Sequence, residues 1–235
     1  MATFDVSVNS GEVTSVSTKT QAITVGNLTN GAVFIRTSTR GGSLATQTIS
    51  TVTFNGVSCS LIRADSYSDA DAGRLRTEIW GKAVGTLAAG SYNAVVTWGG
   101  TITRGVVEVN SWSSVDQTNI TEAVGGGNAV GKASPISNSA TTVTANAYLI
   151  DCVYSKTGGA ITKGGSQTLN AQVAVNGAGD QTGFSYQGAV VTPASTAMSW
   201  TYTTADDYVQ SIAVIKSVAS TSVKDLIGGF IPFAR

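Results

Sequence analysis

Apolar and polar residues alternate with a period of two along most of this chain, the pattern of half-buried β-strands. Phe4, Val6 and Val8 fall on one face, with Asp5, Ser7 and Asn9 opposite. Val52 and Phe54 alternate with Thr51 and Thr53, and Asn55-Gly56 then turns the chain into Val57, Cys59 and Leu61. Asn-Gly between alternating runs is a strong hairpin signal, because both residues accept positive φ. Leu75, Thr77 and Ile79 share one face of the next strand, and Arg74, Arg76, Glu78 and Trp80 share the other. Tyr92, Ala94, Val96 and Trp98 follow, after which Gly99-Gly100 is expected to turn the chain into residues 102–109. Later, Leu169, Ala171, Val173 and Val175 alternate, as do Met198, Trp200 and Tyr202. Residues 32–35 and 145–154 are apolar on both faces and read as central strands, and residues 208–215 close the fold.

Gly-rich stretches around Gly125, Gly158 and Gly177 read as loops, and no repeat of fixed period stands out. The one predicted helix covers residues 222–227. Ser222 caps it, Val223, Leu226 and Ile227 share a face, and Gly228-Gly229 end it. The expected fold is all-β: a two-sheet antiparallel β-sandwich of about a dozen strands, jelly-roll-like, over residues 1–217. Residues 218–235 add a helix-plus-arm extension.

Composition narrows the partners. Charged residues make up only 12% of the chain and the formal net charge is +0, against about a quarter charged in ordinary globular domains. Such a surface offers no electrostatic footprint for nucleic acid or anionic lipid, so neither nucleic acid nor membrane is an expected partner. No run of about 18 apolar residues spans a bilayer. The start Met1-Ala-Thr-Phe-Asp-Val reads as a strand rather than a secretion signal, which suits synthesis in a host cytoplasm and use in a virion. Cys59 and Cys152 each sit in an apolar strand pattern; two buried thiols or one inter-sheet disulfide both fit.

Candidate chemistry is sparse. The chain has no histidine, which removes Ser-His-Asp, Cys-His and His-metal mechanisms and points away from an enzyme. Gly126 to Lys132 follows a phosphate-loop spacing, but Ala133 stands where the magnesium-binding hydroxyl belongs, so it reads as a loop. Asp65, Asp69 and Asp71 form the densest carboxylate group. Three carboxylates in one tight loop can ligate Ca²⁺, the one cofactor the sequence admits; a solvated acidic loop is the alternative. Arg74, Arg76, Glu78 and Trp80 combine planar guanidinium groups with an aromatic ring, which suits a sugar or a protein interface. Phe230, Ile231 and Phe233 form an apolar terminus beyond the Gly228-Gly229 hinge, with Pro232 keeping it extended. Such an arm suits assembly, and residues 218–235 are expected to lie against another copy or a partner virion protein.

The series Val52-Thr-Phe-Asn-Gly-Val57, Glu78-Ile-Trp80, Val95-Val-Thr-Trp-Gly-Gly100 and Val115-Asp-Gln-Thr118 resembles concanavalin-like or jelly-roll modules of phage structural and bacterial surface proteins. The resemblance covers about residues 1–217 and rests on turns, core aromatics and strand ends. It implies a β-sandwich and a virion role as a capsid decoration or fibre-type subunit of a tailed phage. Copies of the chain itself and other virion proteins are then the partners. A carbohydrate-binding module of a phage or cell surface, with surface glycans as ligands, is the alternative. The resemblance carries no catalytic motif.

Overall fold

The Asn55-Gly56 turn forms as its chemistry requires, with φ of 49° and 76° at the two residues and Phe54 paired to Val57 across it. The computed structural model describes residues 1–69, 73–129, 134–156, 159–177, 179–202, 204 and 206–219. The first half of the chain forms β1 (Thr3–Asn9), β2 (Val13–Val25), β3 (Leu28–Gly41), the one-turn helix α1 (Leu44–Gln47), β4 (Ile49–Phe54), β5 (Val57–Ser58), β6 (Ser60–Asp69), β7 (Gly73–Leu87) and the long β8 (Gly90–Ser113). The second half forms β9 (Thr121–Ala129), β10 (Ile136–Thr141), β11 (Ala147–Ser155), β12 (Ile161–Lys163), β13 (Thr168–Val175), β14 (Asp180–Val190), β15 (Ser195–Tyr202) and β16 (Tyr208–Ile215). All pairings are antiparallel, as expected for an all-β sandwich.

Gly99-Gly100 does not end a strand, contrary to expectation. β8 runs through it with two arms: residues 90–98 pair with β2 and β4, and residues 102–113 pair mainly with β3 and β1. The glycines are needed because α1 lies against them. A Cβ on Gly99 would meet the Ala45 carbonyl oxygen at 2.7 Å, and one on Gly100 the Thr46 Cγ2 at 2.9 Å. The sheet folds over at this point and encloses a core that joins Val33, Ile35, Val107 and Val109 to Phe54, Val96 and Trp98.

Counting the arms of β8 as strands seven and eight, and setting aside the stub β5, the first half has a simple order. Its larger sheet runs one-eight-three-six-five, and its smaller sheet two-seven-four. The second half, with β9 to β16 as strands one to eight, repeats every one of these pairings. Each half is thus a sandwich threaded like a jelly roll, except that strand five (β6 or β13) edges the larger sheet. The expected all-β, antiparallel, jelly-roll-like sandwich architecture forms, and the pairings add a detail: two sandwiches of one strand order stack through their larger sheets. The doubling escapes a fixed-period search because matching elements differ in length, 13 residues in β2 against 6 in β10.

The shared core explains why so many strands are apolar on both faces. Phe34, Leu75, Ile79 and Trp112 from the first half meet Ile150, Cys152, Phe184 and Ala213 from the second. β6 lies over β9, and β1 lies over β13. Strand five of each half therefore covers strand one of the other, the arrangement of a two-fold. The Gly125 stretch, expected as a loop, lies in β9; a Cβ on Gly125 would meet the Ser139 carbonyl oxygen at 2.2 Å, so glycine lets β10 cross this closely. The helix α1 was not expected. Ser43 caps it by accepting from the Thr46 N–H, but one turn is too short to show a helical period. Cys59 and Cys152 are free, each buried in a different core.

Candidate functional site

Glu78 is 1% exposed, so the face of Arg74, Arg76, Glu78 and Trp80 is not the open surface the sequence suggested. Its carboxylate accepts from Arg76 Nε at 2.5 Å, Trp80 Nε1 at 2.7 Å and the Ile49 N–H at 3.2 Å. Arg74 Nη1 donates to the Gly42 carbonyl. The reason is topological. Leu75, Thr77 and Ile79 face the second sandwich, and the opposite face of β7 folds inward toward the first core, where Trp80 packs. Glu78 braces this sandwich from within, and Arg74, Arg76 and Trp80 are half-buried around it.

Asp65 is also engaged within the fold. Arg63 donates to it from Nε at 2.7 Å and Nη2 at 2.5 Å, and Ser211 Oγ donates at 2.8 Å. Those hydrogen bonds also hold the Arg63 pKa up. Asp71 and the side chain of Asp69 lie outside the described residues, and so does the expected grouping of the three carboxylates. Among the described residues no group of three or more His, Cys, Asp or Glu side chains could hold a metal. Phe230, Ile231 and Phe233, and the helix expected at 222–227, also lie outside the described residues.

Two polar networks that the alternation pattern did not reveal sit at the centre of the molecule. The fully buried Arg36 of β3 engages all five of its N–H donors. Nε and Nη2 donate to the Glu108 carboxylate at 2.7 and 2.6 Å, Nη1 to the Asp151 and Ser185 carbonyls at 2.6 and 2.7 Å, and Nη2 also to Asn170 Oδ1 at 3.0 Å. Burial works against the Arg36 charge, and the adjoining Glu108 carboxylate more than restores it. One cation thus ties strands three and eight of the first sandwich to backbone oxygens of the second. Asp151, pointing to the other side of β11, accepts from Ser185 N and Oγ, Trp200 Nε1 and Gln210 Nε2 at 2.5–3.1 Å. Burial pushes its carboxyl above the usual range, against the pull of these hydrogen bonds.

The Val115-Asp-Gln-Thr118 segment is the junction between the sandwiches. Gln117 Oε1 accepts from the Gly85 N–H, and Gln117 Nε2 donates to the Gly31 and Val115 carbonyls. Asp116 Oδ1 accepts from the Thr118 and Asn119 N–H groups, and its Oδ2 lies 3.1 Å from Lys216 Nζ. These contacts explain why the segment carries so many polar residues: they hold a linker in one shape.

Two clefts open along the seam. The cleft beside β6 and β9 has a volume of about 470 Å³ and is lined by Leu61, Ile62, Lys82, Asn119 and Val124 among others. The cleft between β1 and β13 has a volume of about 330 Å³, with Phe4, Asp5, Asn170 and Tyr186 in its wall. Comparison with models of protein families, with curated protein sequences and with solved structures finds no match to this chain. The jelly-roll-like strand order is a likeness of fold alone.

Proposed function

We propose that this chain is a non-enzymatic structural subunit of a virus particle, of the capsid-decoration or fibre type in a tailed phage. One observation carries the reading: two sandwiches of one strand order are fused across a shared core and locked by a buried ion pair. That construction yields a rigid block rather than a mobile active-site cleft. The buried acids and bases serve as struts. Arg36, Glu108, Glu78, Asp151 and Asp180 each make several internal hydrogen bonds or ion pairs, and such groups hold geometry instead of turning over substrate. The low charge and the apolar residues Phe230, Ile231 and Phe233 agree with repeated packing against copies or other virion proteins.

Light scattering on the purified full chain and on a form ending at Ala219 tests the reading. The described chain is anchored up to Val218, whose N–H donates to the Ser114 carbonyl, so the shortened form keeps its circular dichroism spectrum and melting midpoint. The full chain self-associates or binds particles lacking it, and the shortened form does neither. A full chain that stays monomeric and leaves such particles bare overturns the proposal.

A further inference from the structure

We propose that β2 is an assembly edge, along which two copies of this chain join their sheets by antiparallel pairing of residues 18–24. The inference rests on the self-association proposed above and names one contact within it. Register sets the free edge. Asn93 of β8 gives its carbonyl oxygen to the Asn55 N–H just past β4, so the backbone groups of Asn93 point toward β4. In an antiparallel ladder this direction alternates from residue to residue. Asn93 and Val95 stand opposite Ala22 and Thr20, so these two β2 residues turn their N–H and C=O groups away from β8. Thr18 and Thr24 share that phase. Among the described residues no strand lies beyond β2, and of this set the Ala22 carbonyl alone has a partner, the Gln21 side chain.

Other edges are short or stacked. β5 has 2 residues and β12 has 3. β6 is stacked on β9 across the seam, and β1 on β13. Strand two of the second sandwich, β10, has 6 residues against 13 in β2, and β9 crosses it closely at Gly125. The second sandwich closes with the shorter strand, so the threading does not require the extra length of β2. A long open edge is a template for another strand, and proteins usually blunt one with charges or irregularities. β2 is irregular before Thr18, where Ser15 has a φ of 53° and the register shifts between Val16 and Thr18. From Thr18 to Val25 the register is continuous, and Lys19 is the one charge.

The occupant is a second copy because the edge is complementary to itself. A two-fold axis through Gln21 sets Thr18 opposite the partner's Thr24 and Thr20 opposite the partner's Ala22. Every outward-turned residue then meets another, giving about eight hydrogen bonds, two for each such pair. Thr18, Thr20, Ala22 and Thr24 are all exposed, and threonines facing one another across strands are a favourable combination. On the other face Lys19 meets the partner's Ile23. A register centred on Lys19 would bring two lysines together, so the one charge selects against that slip. The contact covers little apolar surface and is weak alone, so it forms once the arms hold copies side by side.

Disulfide trapping with Gln21→Cys in the full chain tests the pairing. The two Cα atoms at this position are expected about 4.5 Å apart across the axis, within disulfide reach. The native Cys59 and Cys152 are buried and do not compete. In chains associated in solution or on particles, mild oxidation is expected to link Gln21→Cys into covalent dimers. Thr24→Cys lies about 20 Å from its own counterpart in this register and gives at least tenfold less. Adding Thr20→Pro to Gln21→Cys removes an outward N–H, leaves the ladder to β8 intact and lowers the dimer yield at least tenfold. If Thr20→Pro lowers the melting midpoint, the two cysteine positions decide alone. Associated chains in which Gln21→Cys gives no dimer, or Thr24→Cys links equally well, overturn the edge pairing and leave the subunit reading standing. So does a dimer yield unchanged by a fully folded Thr20→Pro. A strand of another virion protein on this edge would give no Gln21→Cys dimer. A full chain that associates with neither copies nor particles overturns both.

Discussion

Arg36 and Glu108 are register partners on β3 and β8, both fully buried, and the guanidinium grips the carboxylate through Nε and Nη2. A buried pair of this kind contributes little net stability, but removing one member strands the other charge at a cost of about 3–5 kcal/mol. Glu108→Ala is therefore expected to destabilise by about that amount in chemical denaturation. Replacing both, Arg36→Met with Glu108→Leu, recovers most of the loss but not all. The Asp151 and Ser185 carbonyls lose their donor in the double variant. Double-variant stability no better than that of Glu108→Ala would show that the pair itself, and not the stranded charge, holds the sandwiches together.

The thiols give a direct reading of the two cores. Cys59 lies in the first core and burial pushes its pKa up to about 11; Cys152 is deeper and is raised further, again by burial. At pH 8 the thiolate fraction of Cys59 is then on the order of one in a thousand, and the thiolate is the reacting species. Titration of the native chain with a thiol reagent is expected to find no fast-reacting cysteine, and titration in denaturant to find both. A fast native reaction of either would mean that its core opens on the time scale of the assay.

Much of the local structure was legible in the chain. The Asn55-Gly56 hairpin and the central strands at residues 32–35 and 145–154 follow from turn chemistry and from apolar residues on both faces, which are short-range signals. The doubling was not legible, because pairing order is set by which strands meet in space. Gly99-Gly100 misled for the same reason: Gly-Gly is a turn signal locally, but here α1 presses against the strand and only glycine leaves room. Arg74 to Trp80 kept the predicted alternation, yet whether that face meets solvent or the folded-over sheet depends on β4 and α1 arriving from elsewhere. The alternation pattern does not single out Arg36 or Asp151, because their partners lie 34 to 149 residues away.

Asp116 sets how the junction responds to acid. Hydrogen bonds from the Asn119 N–H, from Lys216 and from the Thr118 N–H hold its carboxyl below the usual carboxylate range. A group whose folded pKa is depressed binds fewer protons when folded, so its stabilisation is full above the unfolded pKa of about 4 and is lost as pH falls through the lower folded value. Asp116→Asn is thus expected to lower stability at pH 7 slightly and to flatten the decline of stability below about pH 4. Denaturation midpoints of both proteins across that window check it. Parallel pH profiles would place the acid sensitivity elsewhere.

Trp98 and Trp200 both point inward from strand seven of their own sandwich, but their indole N–H groups differ in kind. Trp98 Nε1 is buried without a hydrogen-bond partner among the described residues, whereas Trp200 Nε1 donates to the Asp151 carboxyl at 2.7 Å. Trp→Phe removes the same atoms at each site and leaves a similar void, so the difference between the two variants isolates the hydrogen bond. At Trp98 the change also removes an unpaired buried donor, which offsets part of the lost packing. At Trp200 it takes one of four hydrogen bonds from a carboxyl that burial already disfavours as a charge. Trp200→Phe is therefore expected to cost about 1–3 kcal/mol more than Trp98→Phe in urea denaturation. The excess should vanish in an Asp151→Ala background, where the acceptor is gone. Equal costs in the wild-type background would mean that the Asp151 network adds nothing to stability beyond the packing of the ring, and that its role is confined to fixing the position of β15 over β11.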